Sequence, residues 1–159
     1  MSLSPDEQIH LTAAEGFIEL GMYLDADAAL DDIDPMCRHL PEVLAVRVKA
    51  YQALESWELM EVVAKKLVEY DPDDAGWWIL WAQATSRAES IEAGRLILVN
   101  ALERHAHDAG VNFNLACYEC SLGNIERTKE CLKRCFDIDP SWKLVALEDE
   151  RFEALWGSL

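Results

Sequence analysis

The residues best suited to chemistry are four cysteines within residues 114–135, whose sequence is NLACYECSLGNIERTKECLKRC. Cys117 and Cys120 form a CxxC pair, and Cys131 and Cys135 form a CxxxC pair. Such spacings hold zinc in some proteins and form redox pairs in others. Here the two pairs are expected on opposite sides of a helix, too far apart for one tetrahedral zinc ion with Zn–S bonds of about 2.3 Å. We therefore predict packing, with no metal and no cofactor; a zinc or redox protein is the disfavoured alternative.

No other motif in the sequence indicates a catalytic site. His105 and His107 lie two residues apart, so their side chains would diverge on a helix, and only Asp108 accompanies them. The sequence contains no Gly-rich phosphate loop, no zincin histidine pair and no nucleophile elbow. We predict that the protein is not an enzyme.

The overall charge narrows the class of partner. The chain of 159 residues has 30 acidic and 14 basic residues and a formal net charge of −16, which argues against nucleic acid or an anionic membrane surface. Nine of the acidic residues, and no Lys or Arg, lie in residues 1–37. We interpret this segment as a solvated acidic face, with a docking surface for a basic partner as the alternative. No apolar run is long enough for a membrane span and no leader pattern opens the chain, so we expect a cytoplasmic protein.

A repeat with a period of 34 residues sets the architecture. The period relates Trp57 to Ile91 and Ile125, Val48 to Ala82 and Ala116, and Ala64 to Leu98 and Leu132. Within each period, apolar residues recur at spacings of three and four on both sides of a short turn, which predicts two amphipathic helices. We predict an all-α superhelix of about four helical hairpins (residues 7–37, 41–74, 75–108 and 109–142) in one domain over residues 1–159. The second helix of the first hairpin should be about one turn short, and residues 143–159 should form a helical cap.

The repeat resembles the tetratricopeptide repeat (TPR) family. The segment SLGNIERTKECLKRCFDIDP carries the strongest match, and the preceding repeat fits the family pattern with Trp78, Ala82 and Gly94. Two positions depart from it: Asn112 and Glu119 replace expected aromatic residues, so we expect thinner aromatic packing in the last hairpin. The resemblance implies a solenoid whose first helices line a groove for an extended or helical peptide.

Residues one period apart on the first helices define this groove face, which we expect to bind a protein or peptide. Its predicted contact residues are Lys49, Gln52, Ile79, Leu80, Gln83, Arg87, Phe113, Asn114 and Cys117. Val46 falls in one row with Leu80 and Asn114, and the first hairpin adds Leu11, Thr12, Glu15, Ile18 and Glu19. The amide and cationic side chains would hold a peptide backbone or an acidic side chain, and Ile79, Leu80 and Phe113 an apolar anchor. The leading interpretation is a non-enzymatic adaptor. The alternative is a small acidic chaperone for a secreted or apolar client, and a homodimer is left open as a further protein contact.

Overall fold

The fold is built from helices alone over the part of the chain that the structure describes. The structure is a computed structural model, and it describes residues 1–158. The helices are α1 (Pro5–Glu19), α2 (Tyr23–Asp31), α3 (Pro41–Ala53), α4 (Trp57–Tyr70), α5 (Ala75–Ala88), α6 (Ile91–His105), α7 (Ala109–Ser121), α8 (Ile125–Ile138) and α9 (Trp142–Glu148), followed by a 3-10 helix (Glu150–Ser158). No helix within residues 1–158 is long and apolar enough to cross a bilayer.

Successive helices pair into four hairpins, as the repeat predicts. The joints fall one period apart, and three of them place a residue in the left-handed region: Gly21 at a φ of 73°, Glu55 at 54° and Gly123 at 78°. Glycine adopts this conformation without cost, whereas the Cβ of Glu55 makes it unfavourable. The second helix of the first hairpin, α2, has 9 residues and α4 has 14, which confirms the predicted shortening.

The hairpins divide into two compact units, residues 1–71 (unit 1) and residues 72 onward (unit 2). Unit 1 buries a cluster that includes Leu11, Leu30, Ile33 and Val43. Unit 2 buries a larger cluster that runs from α5 into the C-terminal residues and includes Leu98, Leu115 and Phe152. Both cores form because the apolar stripe of each helix turns toward its hairpin partner. The single domain over residues 1–159 stays a prediction.

Helix α6 packs so closely on α5 that its contact position has to be glycine. A Cβ added to Gly94 would lie 2.7 Å from the carbonyl oxygen of Ala82 and 2.7 Å from the Cβ of Ser86. Both neighbours belong to α5, and one of them is backbone that cannot rotate away. Gly94 therefore sets the separation of these two helices.

The two departures from the repeat pattern in α7 form buried hydrogen bonds instead of aromatic contacts. The Asn112 side chain donates to the carbonyl oxygens of Ala106 at 3.1 Å and Asp108 at 2.9 Å, which fastens the turn before α7. The fully buried Glu119 carboxylate accepts from Arg95 Nε at 2.7 Å and Asn124 Nδ2 at 2.7 Å. At these two positions polar groups tie α7 to its neighbours. Aromatic packing is not thinner around α7 as a whole, because Phe113 of the same helix contacts Trp142 and Phe152.

Residues 142–158, the C-terminal tail, combine α9 with the 3-10 helix and pack on the last hairpin. Phe152 and Ala146 are fully buried, and the Trp156 indole donates to the carbonyl oxygen of Ala146 at 3.1 Å, which joins the two parts of the tail. A cap on the last hairpin is thus confirmed, but only its first half is an α-helix.

Candidate peptide-binding surface

The groove face of unit 1 contains an open cavity of about 330 Å³. Its lining comes from two first helices: Glu15, Ile18 and Glu19 from α1, and Val46 and Lys49 from α3. On α1 these residues are three and four positions apart, and on α3 three apart, so each set falls on one face of its helix. The repeat phase had placed all five on this face, and the structure brings them together. Leu11, which was expected on the same face, is instead buried in the core of unit 1, so that expectation is wrong.

The surface of the cavity is more polar than apolar: charged side chains form its rim, and Ile18 with a small part of Val46 forms an apolar floor. Val46 is buried and Ile18 is half-buried, whereas Glu15, Glu19 and Lys49 are exposed. No ion pair within residues 1–158 involves any of these three charged side chains. The rim charges are therefore available to a ligand, next to apolar surface that a ligand can cover.

Arg47, the other cation of α3, is already paired with side chains of unit 1. Its guanidinium donates to Asp27 Oδ1 at 2.7 Å, Asp31 Oδ1 at 2.9 Å and the Tyr51 hydroxyl at 3.3 Å. These partners raise the pKa of Arg47 although its burial acts against them. Arg47 thus holds α2 against α3, and Lys49 is left as the cation on the rim of the cavity.

In unit 2 the predicted residues of α5 lie at the surface. Ile79, Leu80 and Gln83 are half-buried and Arg87 is exposed. Ile79 packs on α7, since its Cδ1 would lie 3.2 Å from a Cβ built on Gly110. Gln52 of unit 1 is likewise half-buried. These five residues remain candidates for contact with a peptide.

The predicted residues of α7 lie beneath the C-terminal tail. Phe113 is only 6% exposed, and its ring centroid lies 4.8 Å from that of Trp142 and 5.7 Å from that of Phe152. Cys117 is 1% exposed, and burial raises the pKa of its thiol to about 12. The expectation that Phe113 and Cys117 face an open groove is therefore wrong, because the tail of the same chain occupies this part of the groove face.

Polar contacts fix the tail in this place. The Cys120 thiol donates to the carbonyl oxygen of Arg151 at 3.1 Å. The Arg151 guanidinium in turn pairs with Asp149 at 2.6 Å and lowers the pKa of that carboxyl group. Sequence reasoning identified the tail as a cap but missed these contacts.

Asn114, the remaining predicted residue of α7, uses one of its two N–H donors within its own helix. Its Nδ2 donates to the carbonyl oxygen of Gly110 at 2.8 Å, four residues earlier in the same helix. The side chain is half-buried. The amide has a second N–H and a carbonyl oxygen that could contact a peptide while this hydrogen bond is kept.

The four cysteines of the CxxC and CxxxC pairs pack in unit 2, as predicted: Cys117, Cys131 and Cys135 belong to its core, and Cys120 is partly buried against it. Cys131 and Cys135 are fully buried between the helices, and burial raises the pKa of Cys135 to about 12. All five cysteines are free thiols. Residues 1–158 hold no group of three or more His, Cys, Asp and Glu side chains that could bind a metal ion.

The His105 side chain contacts the backbone at the start of unit 2. Its Nε2 lies 2.9 Å from the carbonyl oxygen of Pro72, which also accepts from the Trp78 indole at 2.9 Å. Trp78 in turn packs against Trp81, with ring centroids 5.8 Å apart. These side chains stabilise the hairpin of α5 and α6.

Comparison of the backbone with solved structures finds repeat proteins of one kind. The chain is similar to MamA from Desulfovibrio magneticus RS-1, with a TM-score of 0.77, 14% identity, and coverage of 92% of this chain and 83% of that one. It is similar to a thermophilic TPR protein of Thermus thermophilus, with a TM-score of 0.70, 17% identity, and coverage of 94% and 82%.

A third similar structure is PilW, described as a widely conserved type IV pilus biogenesis factor. Its TM-score is 0.74 at 18% identity, over 97% of this chain and 71% of that one. No protein-family model matches the sequence, and no curated protein matches it significantly. At these identities the likeness establishes the arrangement of helices.

Proposed function

The chain has the tetratricopeptide repeat fold, and from this premise we propose that it is a non-enzymatic adaptor that binds a peptide or protein segment on its groove face. Helical repeats of this kind form extended surfaces that suit the binding of other proteins, and the resemblance to the tetratricopeptide repeat family implies that the first helices supply that surface. The open cavity between α1 and α3 is the observation that carries the proposal.

The cavity has the features of a peptide-binding site rather than of a packing defect. Apolar side chains, Ile18 and Val46, form its floor, so an inserted apolar side chain would lose contact with water. Charged side chains at the rim can give direction to a bound segment. Gln52, Gln83 and Arg87 are proposed to add polar contacts on the groove face of their own units.

The proposed site excludes the groove face of α7. Phe113 and Cys117 are covered by the tail, so a partner reaches them only after Trp142 and Phe152 have moved. Such a movement would expose the apolar surface of several aromatic side chains to water, which is unfavourable. The proposed adaptor therefore binds through the first helices that the tail leaves open.

Selection from a random peptide library against the full chain tests the proposal. We expect retained peptides, and we expect Ile18→Ala to weaken their binding about tenfold because the floor loses apolar contact. Leu59→Ala is the matched control, since Leu59 is an exposed apolar residue of α4 outside the cavity. Unfolding in urea checks that both variants fold.

Two results would contradict the proposal. One is a library from which the chain retains nothing above the background of the empty support. The other is a retained peptide that binds Ile18→Ala as tightly as the unaltered chain, since that peptide would lie elsewhere.

A further inference from the structure

The rim of the unit 1 cavity carries more negative than positive charge. Glu15 and Glu19 lie one turn apart on α1, and Lys49 is the only cation among the residues that line the cavity. None of the three has an ion pair within residues 1–158. One of the two carboxylates would remain uncompensated even if Lys49 neutralised the other.

The rest of unit 1 strengthens this negative field. Residues 1–71 contain 15 acidic and 5 basic residues, a net charge of −10. Arg47 pairs with Asp27 and Asp31, and Arg38 donates to the backbone carbonyl oxygens of Ile33 and Asp31. The summed charges of a protein steer ligands of opposite sign toward it and repel those of like sign.

We infer that the unit 1 cavity binds a Lys or Arg side chain of a peptide segment that also carries a neighbouring large apolar residue. This inference rests on the proposed function and names the chemistry of its partner. The cationic group would lie between the carboxylates of Glu15 and Glu19, and the apolar neighbour would cover Ile18 and Val46.

The long aliphatic stem of a Lys or Arg side chain suits a cavity of this composition. The stem can lie on the apolar floor while its charged end reaches the rim. An acidic side chain would find one ammonium group, Lys49, beside two carboxylates of its own sign, and like charges in contact oppose binding. Lys49 alone would favour an acidic ligand, but the cavity as a whole favours a basic one.

Charge-neutralising variants of the full chain test the inference with peptides from the library selection. We expect Lys or Arg beside a large apolar residue in the retained peptides. We expect Glu15→Gln with Glu19→Gln to weaken binding about tenfold, and Lys49→Gln to strengthen it about twofold, because it removes a repelling charge. Fluorescence anisotropy with the labelled peptide measures both.

The control removes the same charge from a different face of unit 1. Glu58 and Glu69 are exposed residues of α4 that do not line the cavity. Glu58→Gln with Glu69→Gln should change binding by less than about twofold, since only the screened long-range field changes. Should a variant not fold, the salt dependence of peptide binding to the unaltered chain decides: affinity should fall as salt is raised.

Several results would overturn the inference. Retained peptides that are acidic or uncharged would overturn it, and so would a Lys49→Gln chain that binds more weakly. Equal losses in the cavity and control variants, or binding that salt leaves unchanged, would do the same. In each case, a loss of binding in Ile18→Ala would still support a peptide site there, so the two proposals fail separately.

Discussion

Helices α3 and α7 are the first helices of hairpins two repeats apart. Their groove faces differ in solvent exposure. Lys49 and Gln52 of α3 correspond in the repeat to Cys117 and Cys120 of α7. Lys49 is exposed at the rim of an open cavity, whereas Cys117 is 1% exposed beneath the tail. The same position in the same fold is therefore exposed in unit 1, where we propose that a peptide binds, and part of the core in unit 2.

The difference follows from side-chain chemistry at matched positions. Three matched positions are Ala45, Lys49 and Gln52 in α3, which are small or polar, and Phe113, Cys117 and Cys120 in α7, which are apolar. A fourth position has the opposite contrast, with Val46 in α3 and Asn114 in α7. Covering an apolar face of this size stabilises the folded protein, and the aromatic side chains of the tail provide the cover. The groove face of α7 in unit 2 is thus covered by the protein's own tail.

Removing the largest contact of the tail should have the largest effect. Phe152 is fully buried against Phe113, so Phe152→Ala should lower the free energy of unfolding of unit 2 by about 3–4 kcal/mol. Leu144→Ala is the control, because Leu144 belongs to the same tail but is 69% exposed. Urea unfolding followed by circular dichroism measures both. Equal effects of the two changes would mean that the tail does not cover α7.

A second difference between the units lies where Tyr51 of α3 corresponds to Glu119 of α7. Arg95→Met would leave the buried Glu119 carboxylate without its cation and should cost about 3 kcal/mol. Arg104→Met removes the exposed pair with Asp73 and should cost less than about 1 kcal/mol. Thermal or urea unfolding of the two variants compares them. A cost for Arg95→Met as small as that of Arg104→Met would contradict a buried ion pair at this position.

The covered thiol should make the stability of unit 2 sensitive to alkaline pH. Burial raises the pKa of Cys117 to about 12, so between pH 9 and 12 the unfolded chain loses a proton that the folded chain keeps. The free energy of unfolding should therefore fall as pH rises through this range, by about 1.4 kcal/mol per pH unit for such a group.

Comparison of Cys117→Ala with the unaltered chain isolates this contribution. The variant should lose part of the slope of unfolding free energy against pH above pH 9. Cys120→Ala serves as the comparison: burial also raises the pKa of Cys120, but this thiol is only half-buried, so its removal should take away less of the slope. Identical slopes for the unaltered chain and Cys117→Ala would show that the thiol is accessible to water.

The smallest expected effect contrasts the hairpin joints of the two units. Glu55 holds a φ of 54° where the joint of the last hairpin has Gly123 at 78°. Glu55→Gly should raise the free energy of unfolding of unit 1 by about 1 kcal/mol, and Gly123→Ala should lower that of unit 2 by a similar amount. Urea unfolding measures both changes. A loss of stability in Glu55→Gly would contradict the left-handed conformation assigned to this joint.

The period of 34 residues was sufficient to predict the hairpins, because each repeat places its apolar residues in the same phase and the phases agree along the chain. It also placed Glu15, Ile18, Val46 and Lys49 on one face, which is where the cavity lies. These predictions depend only on the spacing of residues within a helix, and the same spacing recurs in every repeat.

The position of the tail on α7 could not be predicted from the repeat period, because the tail occurs once and has no equivalent in the other repeats. A signal was nevertheless present in the sequence. The groove positions of α7 are occupied by Phe113, Cys117 and Cys120, where α3 has small or polar residues, and the tail supplies Trp142 and Phe152. Apolar residues on a face expected to meet water indicate that another segment covers it.

The central claim is that a peptide binds the open groove face of unit 1 while the tail keeps its place on α7. Backbone amide chemical shifts of the isotope-labelled full chain, recorded as a library-selected peptide is added, test it most directly. The claim predicts shifts in residues 15–19 and 46–49, with residues 113–120 and 149–152 unchanged. Shifts confined to residues 113–120 and 149–152 would contradict it, since the peptide would then have replaced the tail and left the cavity empty.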